Sequence, residues 1–318
     1  MDSLLNVRIR NLHEAAEGVR SYELVALDGG ELPAFSAGAH IDLHLPSGLI
    51  RQYSLWNAPG ETHRYCIAVL RDPASRGGSQ EVHERLQEGD QLTISAPRNH
   101  FALQAGKRVR LFAGGIGITP ILAMAYELQQ QQREFELHYS FRQRSQAALL
   151  EYLQDGPLAS RSHLHCSGEG SRMDSVQALA NPAADEQLYV CGSQGFIDQI
   201  LASARAAGWA DSQLHREYFN VETPVSDVPA GSFEVRVGNR SFNVGADQTV
   251  ADVLAANGLA VAVSCGKGIC GSCLTTVLEG EPDHRDLYLT EEEQAANDQF
   301  TPCCSRAKSS YLVLDLPG

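Results

Sequence analysis

Four cysteines in the last quarter of this 318-residue chain constrain its fold more than any other feature. Cys265, Cys270 and Cys273 stand in a C-x4-C-x2-C arrangement, and Cys303 follows after 29 intervening residues. Three thiolates within nine residues can face one centre only if the backbone wraps tightly around it, and the glycines at positions 266, 268 and 271 permit such a loop. The segment therefore predicts a loop folded around a metal centre.

The spacing of these cysteines is that of a plant-type [2Fe–2S] cluster, whose two irons need four thiolates around one centre. Zinc is the alternative, but zinc ribbons use paired C-x2-C units, and the chain has only one. Cys304 adjoins Cys303, so the fourth ligand is assigned by spacing and by the Ser-Arg pair that follows, which favour Cys303. Cys66 and Cys166 are interpreted as inert core residues.

The rest of the chain divides into blocks with different hydrophobic rhythms. Residues 1–104 contain six short strand patterns and one short helix, which favour a small antiparallel β-barrel. Residues 105–223 alternate strand and helix patterns, including a helix over 146–153, and predict an α/β domain with a parallel sheet. Residues 224–231 are expected to be a linker, and 232–318 contain a hairpin, a helix and two late strands.

Charge and hydropathy limit the classes of partner. The net charge is −14, which argues against general binding to nucleic acid or to an anionic membrane, since both need a basic surface. The sequence contains neither a signal-peptide pattern nor an 18-residue apolar run. We therefore expect a cytoplasmic protein without a membrane span.

Two glycine-containing turns predict a nucleotide site. The strand ending at Ala113 runs into Gly114-Gly115-Ile116-Gly117-Ile118-Thr119-Pro120, and a second predicted strand ends in Cys191-Gly192. Each turn precedes a helix, and in an open parallel sheet ligands bind beyond the carboxyl ends of the strands. Gly115 and Gly117 would let a pyrophosphate approach the backbone. A merely structural turn and a plain buried thiol at Cys191 are the alternatives.

The barrel block carries a second, weaker pattern. Arg51-Gln52-Tyr53-Ser54 lies on a predicted strand, and Arg76-Gly77-Gly78-Ser79 leads into the short helix. Arg51 would neutralise a phosphate, Tyr53 would pack on a flavin ring, and Ser79 at a helix start would hold the phosphate. An Arg and a Tyr on a barrel strand are also common as ordinary surface and rim residues.

Taken in order, these motifs resemble the ferredoxin–NADP reductase superfamily in its phthalate dioxygenase reductase branch. The resemblance covers essentially the whole chain, and the runs at 280–286 and 301–306 are most similar to vanillate O-demethylase reductases. It implies three domains: an FMN-binding antiparallel β-barrel at 1–104, an NAD(P)-binding α/β domain at 105–223, and an α+β ferredoxin-like (β-grasp) [2Fe–2S] domain at 232–318.

The resemblance also implies roles for individual residues. FMN would be held by barrel residues and by the start of the short helix: Arg51, Gln52, Tyr53, Ser54, Arg76, Gly77, Gly78 and Ser79. Thr119 and Phe219 would lie near the flavin, and Cys191 near the nicotinamide, as the residues closest to the chemistry. The nicotinamide nucleotide would contact residues of the two turns: Gly114, Gly115, Gly117, Thr119, Cys191 and Gly192. The cluster ligands would be Cys265, Cys270, Cys273 and Cys303.

The implied function is an electron relay from NADH through FMN and the cluster to a Rieske-type terminal oxygenase, carried out by a monomer. Arg172 leaves NADPH open as the donor, because an arginine can pair with a 2′-phosphate. Residues 279–298 hold eight acidic side chains and one basic one, which suggests either an oxygenase-docking face or a solvated helix end. A free-standing NAD(P)H-dependent reductase of ferric ions, quinones or flavins is the alternative enzyme, and a redox-responsive binding protein is the non-enzymatic one.

Overall fold

The computed structural model describes residues 4–73, 77–219, 231–259, 261–263, 265–269 and 271–316. The chain divides into two compact units, Met1–Phe219 and Asn220–Gly318. Arg76 and Cys270, which the sequence assigned to the flavin and the cluster, lie outside the described residues, as does most of the expected linker.

The first unit opens with the six predicted strands, all of them antiparallel. Their bounds are β1 Leu4–Ala16, β2 Val19–Ala26, β3 His40–His44, β4 Ile50–Ser54, β5 Tyr65–Leu70 and β6 Gln91–Ser95. The sheet order is β4-β3-β6-β1-β2-β5, and a bridge between Leu55 and Ile67 joins the two outer strands, so the sheet closes on itself as a barrel. Helix α1, Gly78–Arg85, follows β5.

The second half of this unit is a five-stranded parallel sheet covered by helices on both faces. The strands are β7 Arg108–Gly114, β8 Glu134–Phe141, β9 Ser162–Cys166, β10 Glu186–Gly192 and β11 Leu214–Tyr218, in the order β11-β10-β7-β8-β9. The helices are α2 Ile118–Gln130, α3 Glu151–Gln154, α4 Ser175–Ala178 and α5 Gln194–Ala206. Leu111 packs on the α2 side and Phe112 on the α5 side, because successive strand residues face opposite ways.

The predicted helix over 146–153 is wrong for most of its length. Ala147 and Ala148 are buried, and Leu149 has a left-handed φ of 58°, which interrupts a right-handed helix. The hydroxyl of Tyr139 donates a hydrogen bond to the carbonyl of Ala148 at 3.2 Å. Burying this apolar run therefore takes precedence over local helix propensity, and only α3 remains helical.

The second unit is an α+β fold. Its strands are β12 Phe233–Val237, β13 Arg240–Val244, β14 Thr275–Glu279, β15 Pro282–Asp283, β16 Gln299–Phe300, β17 Arg306–Ala307 and β18 Tyr311–Asp315, and its helices are α6 Val250–Ala256 and α7 Glu291–Ala296. The main sheet has the order β13-β12-β18-β14-β16, with β12 and β18 parallel. Helix α7 begins at a capping box formed by Thr290 and Glu293, a signal present in the sequence but not used to predict it. Within the described residues, every helix is too short or too polar to cross a bilayer.

Candidate functional site

The two glycine-containing turns meet at the carboxyl ends of β7 and β10, which are neighbours in the parallel sheet. A Cβ atom at Gly192 would lie 3.0 Å from the Cα of Gly114, and one at Gly117 would lie 2.6 Å from the backbone nitrogen of Gly192. Side chains at these positions would collide with the facing turn. Together with Gly115, the turns therefore present bare backbone, which a pyrophosphate can approach closely.

The helix that follows the first turn has an amino end suited to an anion. Helix α2 begins at Ile118, and Thr119 and Pro120 are buried in its first turn. The Thr119 hydroxyl donates to the carbonyl of Ile116 at 3.2 Å, and no side chain in the described part of the chain caps the helix start. First-turn N–H groups lack intrahelical acceptors, so a bound phosphate would satisfy them.

A buried thiol and a buried carboxyl lie side by side next to these turns. Cys191 at the end of β10 pairs in register with Glu217 on β11, and Cys191 has no exposed surface. Burial raises the pKa of the Cys191 thiol well above its ordinary value, so the group is a neutral thiol and not a nucleophilic thiolate. Burial likewise raises the pKa of Glu217 to about 8, although a hydrogen bond from the hydroxyl of Ser54 opposes this shift.

Glu217 is a candidate site residue that sequence reasoning missed. Part of the residue reaches the surface, but its Oε2 atom is buried and has no hydrogen-bond partner among the described residues. Such an orphaned buried oxygen marks a place where a ligand or a proton belongs. In the sequence, Glu217 is visible only as an acidic residue in a short strand next to aromatic residues. Its position beside Cys191 becomes apparent only from the register of β10 and β11.

The barrel supplies an arrangement that fits a phosphate. Arg51 on β4 lies against the amino end of α1, since a Cβ atom at Gly78 would be 2.8 Å from its Cδ. Gly77 caps this helix with a left-handed φ of 89°, and among the described residues no side chain bonds to the helix start. The hydroxyl of Ser79 accepts a hydrogen bond from the backbone of Asp72 at 3.2 Å. A guanidinium beside free helix amides is a strong anion site, and a larger residue at Gly78 would displace it.

The remaining predicted flavin contacts occupy different environments. Tyr53 on β4 is half-buried, and burial raises the pKa of its phenol, so the ring is neutral. The amide of Gln52 lies 3.1 Å from the Nε2 atom of His40. Phe219 follows β11 directly and exposes 38% of its surface, which leaves an aromatic face free for a planar group.

In the second unit, cysteines distant in the sequence come together. The Cys303 thiol is within hydrogen-bonding contact of the thiols of Cys265, Cys273 and Cys304. Cys273 and Cys303 are buried, and Cys265 is half-buried. Several thiols around one centre are the donor set that iron–sulfur clusters require, so these residues fit the group that their spacing predicts.

The glycines between the cysteines are required by the shape of the loop. Gly266, Gly268 and Gly271 have φ values of 65°, 67° and 68°, which other residues rarely adopt. A side chain at Gly268 would collide with Asp286 and Cys304. The backbone N–H of residue 267 points at the Cys265 sulfur at 3.4 Å, the type of contact that tunes a cluster.

The turn that carries Cys303 is firmly held. The Arg306 guanidinium donates to the carbonyls of Gln248 at 2.7 Å, Gly231 at 2.9 Å and Gly245 at 3.0 Å. The sulfur of Cys304 instead lies 3.2 Å from the hydroxyl of Thr301. Of the two adjacent cysteines, Cys303 is therefore the one whose thiol contacts the loop cysteines Cys265 and Cys273.

The chain is similar along its whole length to reductases of known kind. A vanillate O-demethylase oxidoreductase from Pseudomonas sp. (strain HR199 / DSM 7063) is 52% identical over 318 residues, spanning 98% of this chain and 100% of its relative. A solved structure described as phthalate dioxygenase reductase, a modular structure for electron transfer from pyridine nucleotides to [2Fe–2S], is 34% identical with a TM-score of 0.76. The match covers 99% of this chain and 98% of that one. The chain belongs to the phthalate dioxygenase reductase family.

The family assignment agrees with the cluster-binding domain found in this reductase. Residues 233–308 match the family model for a 2Fe-2S iron-sulfur cluster binding domain. An intact type IV self-sufficient cytochrome P450 monooxygenase aligns with a TM-score of 0.87 and 36% identity over 98% of this chain, which spans 41% of that longer protein. The reductase is accordingly an oxidoreductase that transfers electrons with a flavin, a pyridine nucleotide and a [2Fe–2S] cluster.

Proposed function

We propose that this reductase is the electron-supplying component of a Rieske-type oxygenase that removes O-methyl groups from aromatic compounds. Electrons would pass from NADH through FMN and the cluster to the oxygenase. The observation that carries the proposal is the presence in one chain of a bare-backbone nucleotide site, an arginine-lined anion site and a set of converging thiols. The names of its full-length relatives supply the class of partner.

Each group has a proposed set of residues. Arg51 and residues 76–79 would hold the FMN phosphate, with Gln52, Tyr53, Ser54 and Thr119 along the flavin and Phe219 against its ring. The two glycine-containing turns and Cys191 would hold the nicotinamide nucleotide. Cys265, Cys270, Cys273 and Cys303 would ligate the cluster. The proposed domains are residues 1–104, 105–223 and 232–318, joined by a linker at 224–231.

When bound, the flavin and the cluster convert a two-electron hydride into single electrons and carry them outward. The protein's own part is placement and exclusion of water. The neutral thiol of Cys191 provides a small, uncharged neighbour for the reacting ring, because burial keeps it protonated. Because burial raises the pKa of Glu217 to about 8, its carboxyl would hold a proton at neutral pH.

The acidic segment 279–298 supports docking to a basic partner. Two of its eight acidic side chains are buried and cannot contribute to a docking surface. Asp283 is buried and pairs with Arg285 at 2.7 Å, and Asp286 is buried and accepts a hydrogen bond from the backbone of Leu289 at 2.8 Å. Both therefore stabilise the fold. Among the side chains whose burial the structure describes, the exposed carboxylates of this segment are Glu279, Glu281, Glu292, Glu293 and Asp298. In this proposal they orient the oxygenase, and its reduction slows as ionic strength rises.

The proposed relay is tested by anaerobic titration of the purified holoprotein with NADH. The expected uptake is about three electrons per chain, two for the flavin and one for the cluster, with both absorbances bleaching. Flavin bleaching without any cluster signal would contradict the relay. Bleaching by NADPH and not by NADH would instead reassign the donor, in line with Arg172.

The oxygenase partner is tested by reconstitution. Adding a vanillate-type terminal oxygenase should give NADH oxidation that is coupled to demethylation and sensitive to salt. Rapid reduction of ferric ions, quinones or free flavin without stimulation by any oxygenase would favour a free-standing reductase. The proposal also places the chain in the cytoplasm as a monomer. Sedimentation of the holoprotein would check the monomeric state.

A further inference from the structure

Four side chains able to bind a metal project from one face of the two outermost strands on one side of the parallel sheet, β8 and β9. Glu136 and His138 are two residues apart on β8, and His163 and His165 are two residues apart on β9, so each pair shares a face. His138 pairs directly with His163 in the parallel register. This group belongs to neither the nucleotide turns, the flavin contacts nor the thiol set.

Three of these side chains are close enough to share one ion. Ligand atoms of Glu136, His138 and His163 all lie within 4.8 Å of one another. Ligands of a tetrahedral zinc ion are roughly 3.4 Å apart, so only a small side-chain adjustment is needed to close the site. The side chain of His163 is exposed and can make this adjustment. The ring of His138 is stacked between two others, with centroid distances of 5.0 Å to Phe112 and 4.8 Å to His163.

An unsatisfied buried atom points to a ligand at this place. His138 exposes only 7% of its surface, and its Nε2 atom has no hydrogen-bond partner in the described part of the chain. A buried imidazole nitrogen without a partner costs stability unless something binds it. The nearest oxygen in the group is Oε2 of Glu136, at 3.9 Å, which is too far for a hydrogen bond but suited to a shared cation.

Neighbouring residues orient the ligands as they do in metal sites. The Nδ1 atom of His138 lies 3.1 Å from Nε2 of His165, so a proton on Nδ1 donated to His165 leaves the lone pair of Nε2 available. The other oxygen of Glu136 accepts a hydrogen bond from Arg108 at 2.6 Å. Both ligands are thus held in place by contacts outside the ion's own coordination.

The charges around the group permit a cation. Arg108 and Arg110 are the nearby positive charges, and Glu136 and the fully buried Glu186 pair with them. The positive charges of both arginines are therefore compensated by carboxylates.

We propose that Glu136, His138 and His163 bind one zinc-type divalent cation that cross-links β8 to β9. Two imidazoles and a carboxylate form a donor set that zinc accepts, with water completing the coordination on the exposed side of His163. His165 positions His138 and does not ligate. The ion stabilises the outermost strand of the nucleotide-binding sheet by mass action, because the ligands come together only in the folded chain.

The test is calorimetric titration of the metal-stripped holoprotein, with flavin and cluster in place, using zinc ions alone. We expect one site per chain and a rise in the thermal unfolding midpoint, with no such rise for magnesium. His163→Ala should weaken zinc binding by at least about 100-fold, because it removes a ligand from the surface without disturbing the core. His165→Ala should weaken it by about 10- to 100-fold.

The matched control is His13→Ala, which removes an exposed strand histidine from the barrel and should leave the affinity unchanged. Unaltered zinc binding by His163→Ala would overturn the proposal, as would a wild-type protein that shows neither heat of binding nor a thermal shift. Iron is measured after each titration, and zinc uptake that matches iron release would place the zinc at the cluster thiols and also overturn it.

Discussion

The nucleotide site and the cluster loop are built in opposite ways. The loop takes three of its four cysteines from nine consecutive residues, so chain connectivity alone keeps them close. The group beside the nucleotide turns takes Ser54 from a barrel strand and Cys191 and Glu217 from two strands of the parallel sheet. The first site depends on ligand identity and loop shape, and the second on strand register. Substitutions should therefore act differently in the two regions.

The largest effect is expected at the cluster. Cys303→Ser should abolish the cluster absorbance and reduce cytochrome c reduction to background, because a serine oxygen replaces a thiolate ligand. Flavin reduction by NADH should persist, since the other unit is untouched. The measurements are iron content, visible absorbance and the two activities.

Cys304→Ser is the matched control, since its sulfur lies against the Thr301 hydroxyl. This variant should keep the cluster and reduce cytochrome c. Retention of a full cluster by Cys303→Ser together with loss in Cys304→Ser would exchange the roles of the two residues.

The next largest effect is expected in the crevice. Gly117→Ala places a methyl group against the backbone of Cys191 and Gly192, and overpacking of this kind costs roughly 1–3 kcal/mol. If the strain falls on the bound state, NADH affinity should drop by about 10- to 100-fold, as followed by flavin reduction in stopped flow. Gly195→Ala is the control, because nothing lies within 4 Å of its added methyl group. Equal behaviour of the two variants would contradict a close-packed crevice.

A smaller effect, visible in its pH dependence, is expected at Glu217. Its pKa is about 8 in the folded chain against 4.5 for an ordinary glutamate, so the folded state holds a proton that the unfolded state has lost between these values. Stability therefore falls as pH rises from about 4.5 to 8. Glu217→Gln should flatten this part of the profile in denaturant unfolding.

The exposed Glu31→Gln serves as the control and should leave the profile unchanged. A wild-type stability that is level across this pH range, or an unaltered slope in Glu217→Gln, would mean that the carboxyl is ionised in the folded chain.

The smallest effect is expected at Ser54. Ser54→Ala removes the hydroxyl that opposes the upward shift of the Glu217 pKa, so that pKa should rise further. The loss of one hydrogen bond costs about 1 kcal/mol. Ser54→Thr keeps the hydroxyl and should restore the wild-type pH profile. Identical profiles for the alanine and threonine variants would show that the hydroxyl does not act on Glu217.

Much of the architecture was predictable, for reasons that particular elements illustrate. The sequence pattern predicts a strand at Gln91–Ser95 and a helix at Val250–Ala256, and β6 and α6 have these bounds, because alternation and a 3.6-residue period are local properties. The helix expected over 146–153 failed because burial of Ala147, Ala148 and Leu149 prevailed over propensity. Helix α7 was missed although its Thr290–Glu293 capping box was readable.

The sequence by itself determined the thiol loop, the glycine-containing turns and the order of the folding blocks, since each is written in residues adjacent along the chain. Only the tertiary structure decided that Glu217 would lie beside Cys191 and bond to Ser54, and that Glu136, His138 and His163 would face one another. Those groupings depend on which strands become neighbours and in which register. Strand pairing joins distant segments, so no local pattern specifies it.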